Sequence, residues 1–362
     1  MRIVVLGPAS SVHILQWSNN LVKRGVKVAL VSQHTPIPGF DNRIDVHVLP
    51  FKGVFGYFLN VFHVRRLLAQ LAPEIVHAHY ASGYGTTARL VNFHPYLLSV
   101  WGSDIFDFPN ATIIHRWLLR RNLRSADMLA STSNMMVAEI QKHNGDCTPV
   151  AVTPFGVDLE KFGMQSKDGA NGEIRIGIVK GLAYKYGIDI LLRAFAMLRD
   201  RVNDDLARKL RLIIAGSGDQ EAELKRLSKN LGIDSWVDFL GKVPHSSVPE
   251  VLGRLDIFCA LSRMDSETFG VAVIEASACG LPVVVSCVGG LPEVVCNGET
   301  GIVVKNEDPL DASRALEILV NNSEMRKRMG ALGRIMVEER YGWDTCINAM
   351  LVTYEKTLVS NV

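Results

Sequence analysis

"GMQSKDGANGEIRIGIVKG", residues 163–181, decides how the chain divides. Residues 163–173 are polar and glycine-containing, the composition of a linker. At Ile174 an apolar strand pattern begins, and it restarts an alternation already run through once. Upstream, "RIVVLG", "KVALVS", "DVHVLP", "EIVHAHY", "YLLSVWG", "DMLAST" and "PVAVTP" read as strands, most of them separated by stretches with helical apolar spacing. Downstream, "IRIGIVKG", "LRLIIAGSG", "WVDFLGKV", "DIFCALS", "PVVVS" and "GIVV" do the same. Continuous apolar strands separated by helices imply parallel sheets covered on both faces. Two series of them imply two doubly wound α/β domains. "WDTCINAMLVTYEKTL" follows the second series and is expected to pack back on the first domain. The expected division is 1–162 for the first domain with a returning helix over 343–362, 163–173 for the linker, and 174–342 for the second. Ligands bind such sheets outside the carboxyl ends of the strands, so two facing domains would make a cleft.

The bulk properties agree. A chain of 362 residues exceeds what one core usually spans. With 48% hydrophobic and 21% charged residues it has an ordinary globular composition. Its 39 basic and 37 acidic residues give no global bias toward nucleic acid. The basic excess is local: residues 1–160 carry 14 Lys and Arg against 10 Asp and Glu. Six scattered cysteines, without a CxxC pair, read as apolar fillers in a reducing compartment and not as a zinc or disulfide frame. "MRIVVLG" is too short an apolar run for a signal peptide, and nothing approaches the ~18 apolar residues of a membrane span. A cytoplasmic protein is expected.

The chemistry sits where strands end. Lys180 and Lys185 share one strand-to-helix loop, "VKGLAYKYGID", and two cations there suit a diphosphate, although solvated surface lysines would explain a lone pair better. Gly216, in "LIIAGSGD", either lets backbone amides approach a phosphate or serves a tight turn. In "ETFGVAVIEASACG" a loop enters a helix that stops at Gly280, so the amides of Phe269, Gly270 and Val271 open toward an anion. Glu267 and Glu275 flank those amides. Carboxylates repel a phosphate but accept hydrogen bonds from neutral hydroxyls. Phosphate between two sets of hydroxyls describes a nucleotide-sugar. The plainer alternatives are a dipole interaction for Glu267 and an exposed helix position for Glu275.

Over nearly its whole length the chain resembles the retaining glycosyltransferases of the GT-B fold, specifically the large group four. The resemblance is most specific from Glu267 to Glu275, the family's glutamate, seven residues, glutamate signature, within "FGVAVIEASACGLPVVVSCVGGLPEVV". It implies that Glu275 binds the nucleotide ribose and Glu267 the transferred sugar. It implies that Lys180 and Lys185 neutralise the diphosphate, with lysine at 180 where relatives carry arginine. Lysine keeps the charge there but cannot grip a phosphate with the two parallel hydrogen bonds of a guanidinium. "FLGKV" is similar to the segment whose backbone, near Val243, meets the base. The resemblance also implies retention of anomeric configuration, with the leaving phosphate accepting the acceptor's proton.

The N-terminal half departs further from the family. "GPASSVH" offers Gly7 alone where relatives often pair glycines. "VWGSDIFDFP" places Trp101 where many relatives have histidine. That shifts the expected catalytic contact to Asp104, which reads equally as a helix cap. His13 and Trp101 are lesser candidates on the acceptor side, His13 being more readily an ordinary helix residue. No metal or cofactor is expected, because a helix dipole and two lysines can stabilise a leaving diphosphate.

"IIHRWLLRRNLRSAD", residues 113–127, and "FKGVFGYFLNVFHVRR", residues 51–66, mix aromatic, aliphatic and basic residues. Basic amphipathic helices can lie on an anionic bilayer, although a surface helix buried on its apolar side is the commoner case. Peripheral contact with the inner face of the membrane and a saccharide acceptor, lipid-linked, are the expectation. A UDP-sugar donor is favoured and a GDP-sugar is next. The competing readings are an NAD-dependent oxidoreductase, which lacks an intact glycine fingerprint here, an epimerase or phosphorylase, and a non-catalytic sugar-nucleotide binder.

Overall fold

Runs of β-branched residues set the two sheets. In the computed structural model, which describes residues 1–164 and 172–359, all thirteen segments read as strands pair as strands. The first unit comprises residues 1–155 together with the last helix. It runs β1 (Arg2–Leu6), α1 (Val12–Lys23), β2 (Lys27–Ser32), β3 (Asp45–Val48), α2 (Gly53–Leu59), α3 (Val61–Leu71), β4 (Ile75–His79) and α4 (Gly83–Val91). It continues with β5 (Tyr96–Val100), α5 (Ser103–Phe106), α6 (Phe108–Ala111), α7 (Ile113–Arg124), β6 (Met128–Ser131), α8 (Asn134–Asn144) and β7 (Val150–Val152).

The second unit, Gly156–Gly342, holds β8 (Ile174–Val179), α9 (Ile188–Arg201), α10 (Asp204–Lys209), β9 (Leu210–Ala215), α11 (Glu221–Asn230), β10 (Val237–Gly241) and α12 (Val248–Gly253). After these come β11 (Ile257–Ala260), α13 (Val271–Ala278), β12 (Val283–Ser286), β13 (Gly301–Val304), α14 (Pro309–Asn321) and α15 (Ser323–Arg340), and α16 (Trp343–Val359) closes the chain.

Both sheets are parallel throughout. Their orders are β3-β2-β1-β4-β5-β6-β7 and β10-β9-β8-β11-β12-β13. Each reverses direction of growth once, between β1 and β4 and between β8 and β11, and doubly wound sheets bind ligands at that point. Ile3, in register with Val28 and Ile75, is fully buried, as an apolar strand covered on both faces should be.

The division falls at Phe155/Gly156, earlier than residue 162. The Val157 amide donates to the Tyr341 carbonyl at 2.8 Å, and the Arg334 guanidinium donates to the carbonyls of Ala278 (2.8 Å), Phe162 and Leu159. These bonds tie residues 157–162 to the second unit. Most of the predicted linker, residues 165–171, lies outside the described residues. Helix α16 packs on α1 and β5: Trp343 meets Trp17 edge-on at 5.2 Å, and the buried Tyr354 hydroxyl lies 2.7 Å from His77 Nδ1.

Candidate active site

In the second unit the strand ends bring together residues up to 87 positions apart. Lys180, just past β8, donates from Nζ to Glu267 Oε1 at 2.9 Å. The Tyr186 ring lies 4.7 Å from Lys180 Nζ and 5.1 Å from Lys185 Nζ, so both cations border one aromatic face. Burial works against the Lys180 ammonium. The charges of Glu267, Tyr186 and Glu275 outweigh it and hold this lysine above its ordinary value.

Gly270, at φ +93°, leads into α13 with no side-chain cap. The helix therefore begins with amides that its own sequence leaves to other partners. The Phe269 side chain is buried edge-on against Tyr341, ring centroids 5.4 Å apart, and anchors this turn. One helical turn past Val271, Glu275 is 8% exposed and accepts from His245 Nε2 at 2.9 Å. That hydrogen bond raises the His245 imidazole above its ordinary value despite partial burial. His245 belongs to the loop after β10 that also carries Val243, and Phe162 lies beside its ring at 5.8 Å. Neither acid is idle: a lysine from one strand end meets Glu267 and a histidine from another meets Glu275.

The glycines serve the loops themselves. A Cβ on Gly216, whose φ is +149°, would sit 1.8 Å from the Lys180 carbonyl oxygen, so glycine here lets the loops after β8 and β9 touch. The pair after β12 acts likewise: the Gly290 amide donates to the Glu267 carbonyl at 2.9 Å and Gly289 to Asp265 Oδ1 at 3.1 Å. These bonds set the height of the Glu267 loop. A phosphate cradle is not needed to explain either place.

In the first unit Gly7 abuts Ile14 and His79, where a Cβ would meet Ile14 Cδ1 at 2.6 Å. Ser11 caps α1 by accepting from the His13 amide. The ends of β1, β4, β5 and β7 converge on a cluster of rings centred on Trp101, with His79 at 5.1 Å, Tyr80 at 4.9 Å, Phe155 at 5.4 Å and His13 at 5.7 Å. His13 and Trp101 are thus brought together as acceptor-side candidates.

Asp104 adjoins this cluster through the Trp101 amide, with its carboxylate turned to backbone. Its side chain is 2% exposed and accepts from the amides of Ala81 (2.7 Å), Gly102 (2.8 Å) and Trp101 (3.1 Å). Burial raises its carboxyl above the ordinary aspartate value while those amides pull the other way. A carboxylate committed to three amides of two loops is a clamp. Of the two readings of Asp104, the structural one fits the geometry.

Sequence reasoning missed His245, His79, Tyr80 and Phe155. His245 stands in "KVPHSSVPE" with no pattern around it, and only the fold brings it to Glu275, 30 residues away.

Comparison with known proteins bears on this geometry. The family model described as Glycosyl transferases group 1 matches residues 162–336, and that described as Glycosyl transferase 4-like matches residues 2–133. A D-inositol 3-phosphate glycosyltransferase from Stackebrandtia nassauensis is 28% identical over 95% of this chain and 86% of its own length. The GDP-mannose-dependent alpha-(1-6)-phosphatidylinositol monomannoside mannosyltransferase of Mycolicibacterium smegmatis is 30% identical over 64% of this chain and 63% of its own. Among solved structures, sucrose-phosphate synthase from Thermosynechococcus elongatus superposes with a TM-score of 0.85 at 18% identity, covering 99% of this chain and all of its own. Anabaena HepE in complex with UDP-glucose gives 0.79 at 17% identity, covering 98% of this chain and 100% of its own. These structural likenesses carry the fold, and the family models carry the class of reaction. The chain belongs to the group four glycosyltransferases, enzymes of the GT-B fold that transfer glycosyl groups.

Proposed function

We propose that the enzyme moves a sugar, with retention of anomeric configuration, from a nucleotide-sugar to a lipid-linked saccharide acceptor in cell-surface polysaccharide or glycolipid synthesis. A UDP-sugar is the favoured donor and a GDP-sugar the next. The observation that carries the reading is the pair of acids on either side of the α13 N-terminus, each held by a nitrogen from another strand end: Glu267 by Lys180 and Glu275 by His245. Glu275 keeps its second carboxylate oxygen for ribose hydroxyls. Glu267 faces the transferred sugar, and the amides at Gly270 and Val271 receive the diphosphate with Lys180 and Lys185. Proteins of the same fold solved with UDP and UDP-glucose support a uridine donor, and a GDP-mannose-dependent relative supports the runner-up.

In the transfer, the glycosidic carbon–oxygen bond to the diphosphate breaks as the acceptor hydroxyl bonds to the same carbon on the same face. The acceptor's proton passes to the leaving phosphate oxygen. Lysine charge and helix dipole stabilise the diphosphate that departs, so the step is proposed to run without a metal.

Thermal melts with UDP, GDP, ADP and NAD, with and without EDTA, test this. A nucleoside diphosphate at 100 times its dissociation constant adds roughly 2.7 kcal/mol. The expected result is a shift with UDP that survives EDTA and disappears in Glu275→Ala, and a product whose anomeric proton coupling matches the donor's. A shift confined to GDP would change the base assigned. An inverted product, or a response abolished by EDTA, would overturn the mechanism.

A further inference from the structure

Helices α2, α3, α4 and α7 form one layer on one face of the first sheet. Helix α4 packs between α2 and α3 on one flank and α7 on the other, and Val64, Leu68, Tyr84, Ala88, Leu119 and Leu123 enter a common core. Their apolar side is therefore already satisfied. The residues they turn outward are nevertheless large and apolar: Phe55 is 79% exposed, Phe62 74%, Ile113 84% and Ile114 73%, with Phe58 and Trp117 about half exposed. Monomeric proteins seldom leave such a concentration of apolar side chains in water.

The charge on this layer is of one sign. The four helices hold seven arginines (65, 66, 89, 116, 120, 121 and 124) and no aspartate or glutamate. On α7 the exposed Arg121 guanidinium lies 4.9 Å over the exposed Trp117 ring. Among the described residues, no helix is long and apolar enough to cross a membrane.

We propose that this face docks on an anionic lipid bilayer, with Phe55, Phe62, Ile113, Ile114 and Trp117 entering the headgroup boundary and the α7 arginines meeting lipid phosphates. A second copy of the chain is a poor occupant, because a self-complementary interface would set arginines against arginines. A nucleic acid would use the charge but has no use for exposed isoleucines and phenylalanines. A bilayer uses both.

The same face is bonded to the strand ends. The Tyr57 ring, on the inner side of α2, meets Tyr84 edge-on at 5.3 Å, and its carbonyl accepts from Thr87 Oγ1 at 2.8 Å. Tyr84 Oη lies 3.0 Å from Ser32 Oγ, which also accepts from the amide of Ala9, two residues past Gly7. Docking thus fixes the loop after β1 relative to the bilayer, and a lipid-borne acceptor would be presented there. That last clause rests on the proposed function; the docking does not.

The test is co-flotation of the full chain with vesicles of phosphatidylcholine alone and of phosphatidylcholine with about one-third phosphatidylglycerol, at low and high salt. Wild type is expected to float only with the anionic vesicles and only at low salt. Arg116→Gln and Arg120→Gln should each weaken partitioning about fivefold, and Phe55→Ser with Phe62→Ser should abolish it. Folding of each variant is read from its nucleotide-induced melt shift, and activity on a water-soluble acceptor should stay at the wild-type level. No flotation at low salt, equal binding to neutral vesicles, variants that float like wild type, or a dimer or oligonucleotide complex that Phe55→Ser abolishes would overturn the proposal. Flotation without any nucleotide response would sink the donor reading and leave the docking standing.

Discussion

The two units share one strand order and one direction-reversal point, yet their strand ends differ in kind. In the second unit they carry acids bonded to basic side chains, Lys180 to Glu267 and His245 to Glu275, at 2.9 Å each. In the first they carry rings, with Trp101 meeting His13, His79, Tyr80 and Phe155, and the one acid among them is committed to backbone amides. The doubly wound fold thus supplies a place and not a chemistry. Acids and basic groups beside helix amides suit a ligand that brings both charge and hydroxyls. Rings suit the apolar faces of neutral saccharides.

The contrast is most easily upset with acid. His77, buried between Tyr354 Oη and Ser99 Oγ, has its imidazole pushed down to about 3 by burial, and the stacked His79 lies well below its ordinary value. Both stay neutral in the native state while the unfolded chain takes up protons below about pH 6.5. Stability from these groups is therefore present at neutral pH and lost as pH falls, by about 1.4 kcal/mol per pH unit for each. Hydrogen exchange at β4 and β5 amides should accelerate steeply between pH 6.5 and 5 after correction for intrinsic rates. A flat profile there would disprove the neutral pair.

Asp104→Ala should cost about 3 kcal/mol, because it leaves the amides of Ala81, Gly102 and Trp101 without their acceptor. Nucleoside diphosphate affinity should stay within about twofold of wild type if the carboxylate is a clamp. Chemical denaturation and calorimetric titration separate the two. Unchanged stability with abolished transfer would return Asp104 to the active site.

Glu275→Ala removes an acceptor of hydroxyl hydrogen bonds, each such bond to a charged group contributing about 1.5–3 kcal/mol. A loss of roughly tenfold to a hundredfold in affinity for the donor nucleotide is expected, measured against the free base and phosphate as controls. Equal affinity would remove Glu275 from the ribose site.

His245→Gln is the smallest and most pointed. Because Glu275 raises its imidazole, the pair contributes stability that is complete below about pH 6.5 and is lost as pH rises through the folded value. The effect should be about 1 kcal/mol or less, since the histidine is half exposed. This sign is opposite to that of His77 and His79. Removing His245 should therefore flatten the alkaline side of the second unit's melt and leave the acid side of the first unit untouched.

All thirteen strands were legible in the sequence, because a strand buried on both faces must be apolar along its length, and such runs read locally. The spacing of Glu267 and Glu275 was legible for a related reason: one loop and one helical turn set their separation. Their partners were not. Lys180 lies 87 residues from Glu267, His245 lies 30 from Glu275, and Tyr354 lies 277 from His77, distances at which no local pattern specifies a contact. The roles of Gly216 and Gly290 were legible only as glycine. That each admits a neighbouring loop depends on a carbonyl oxygen from another strand end. Residue order alone specified two parallel α/β units, the acids of the candidate site and the acid-free face. Packing then selected which basic side chain meets each acid and turned Asp104 inward, because electrostatics and hydrogen bonding act through space between groups that only the assembled sheets bring within reach.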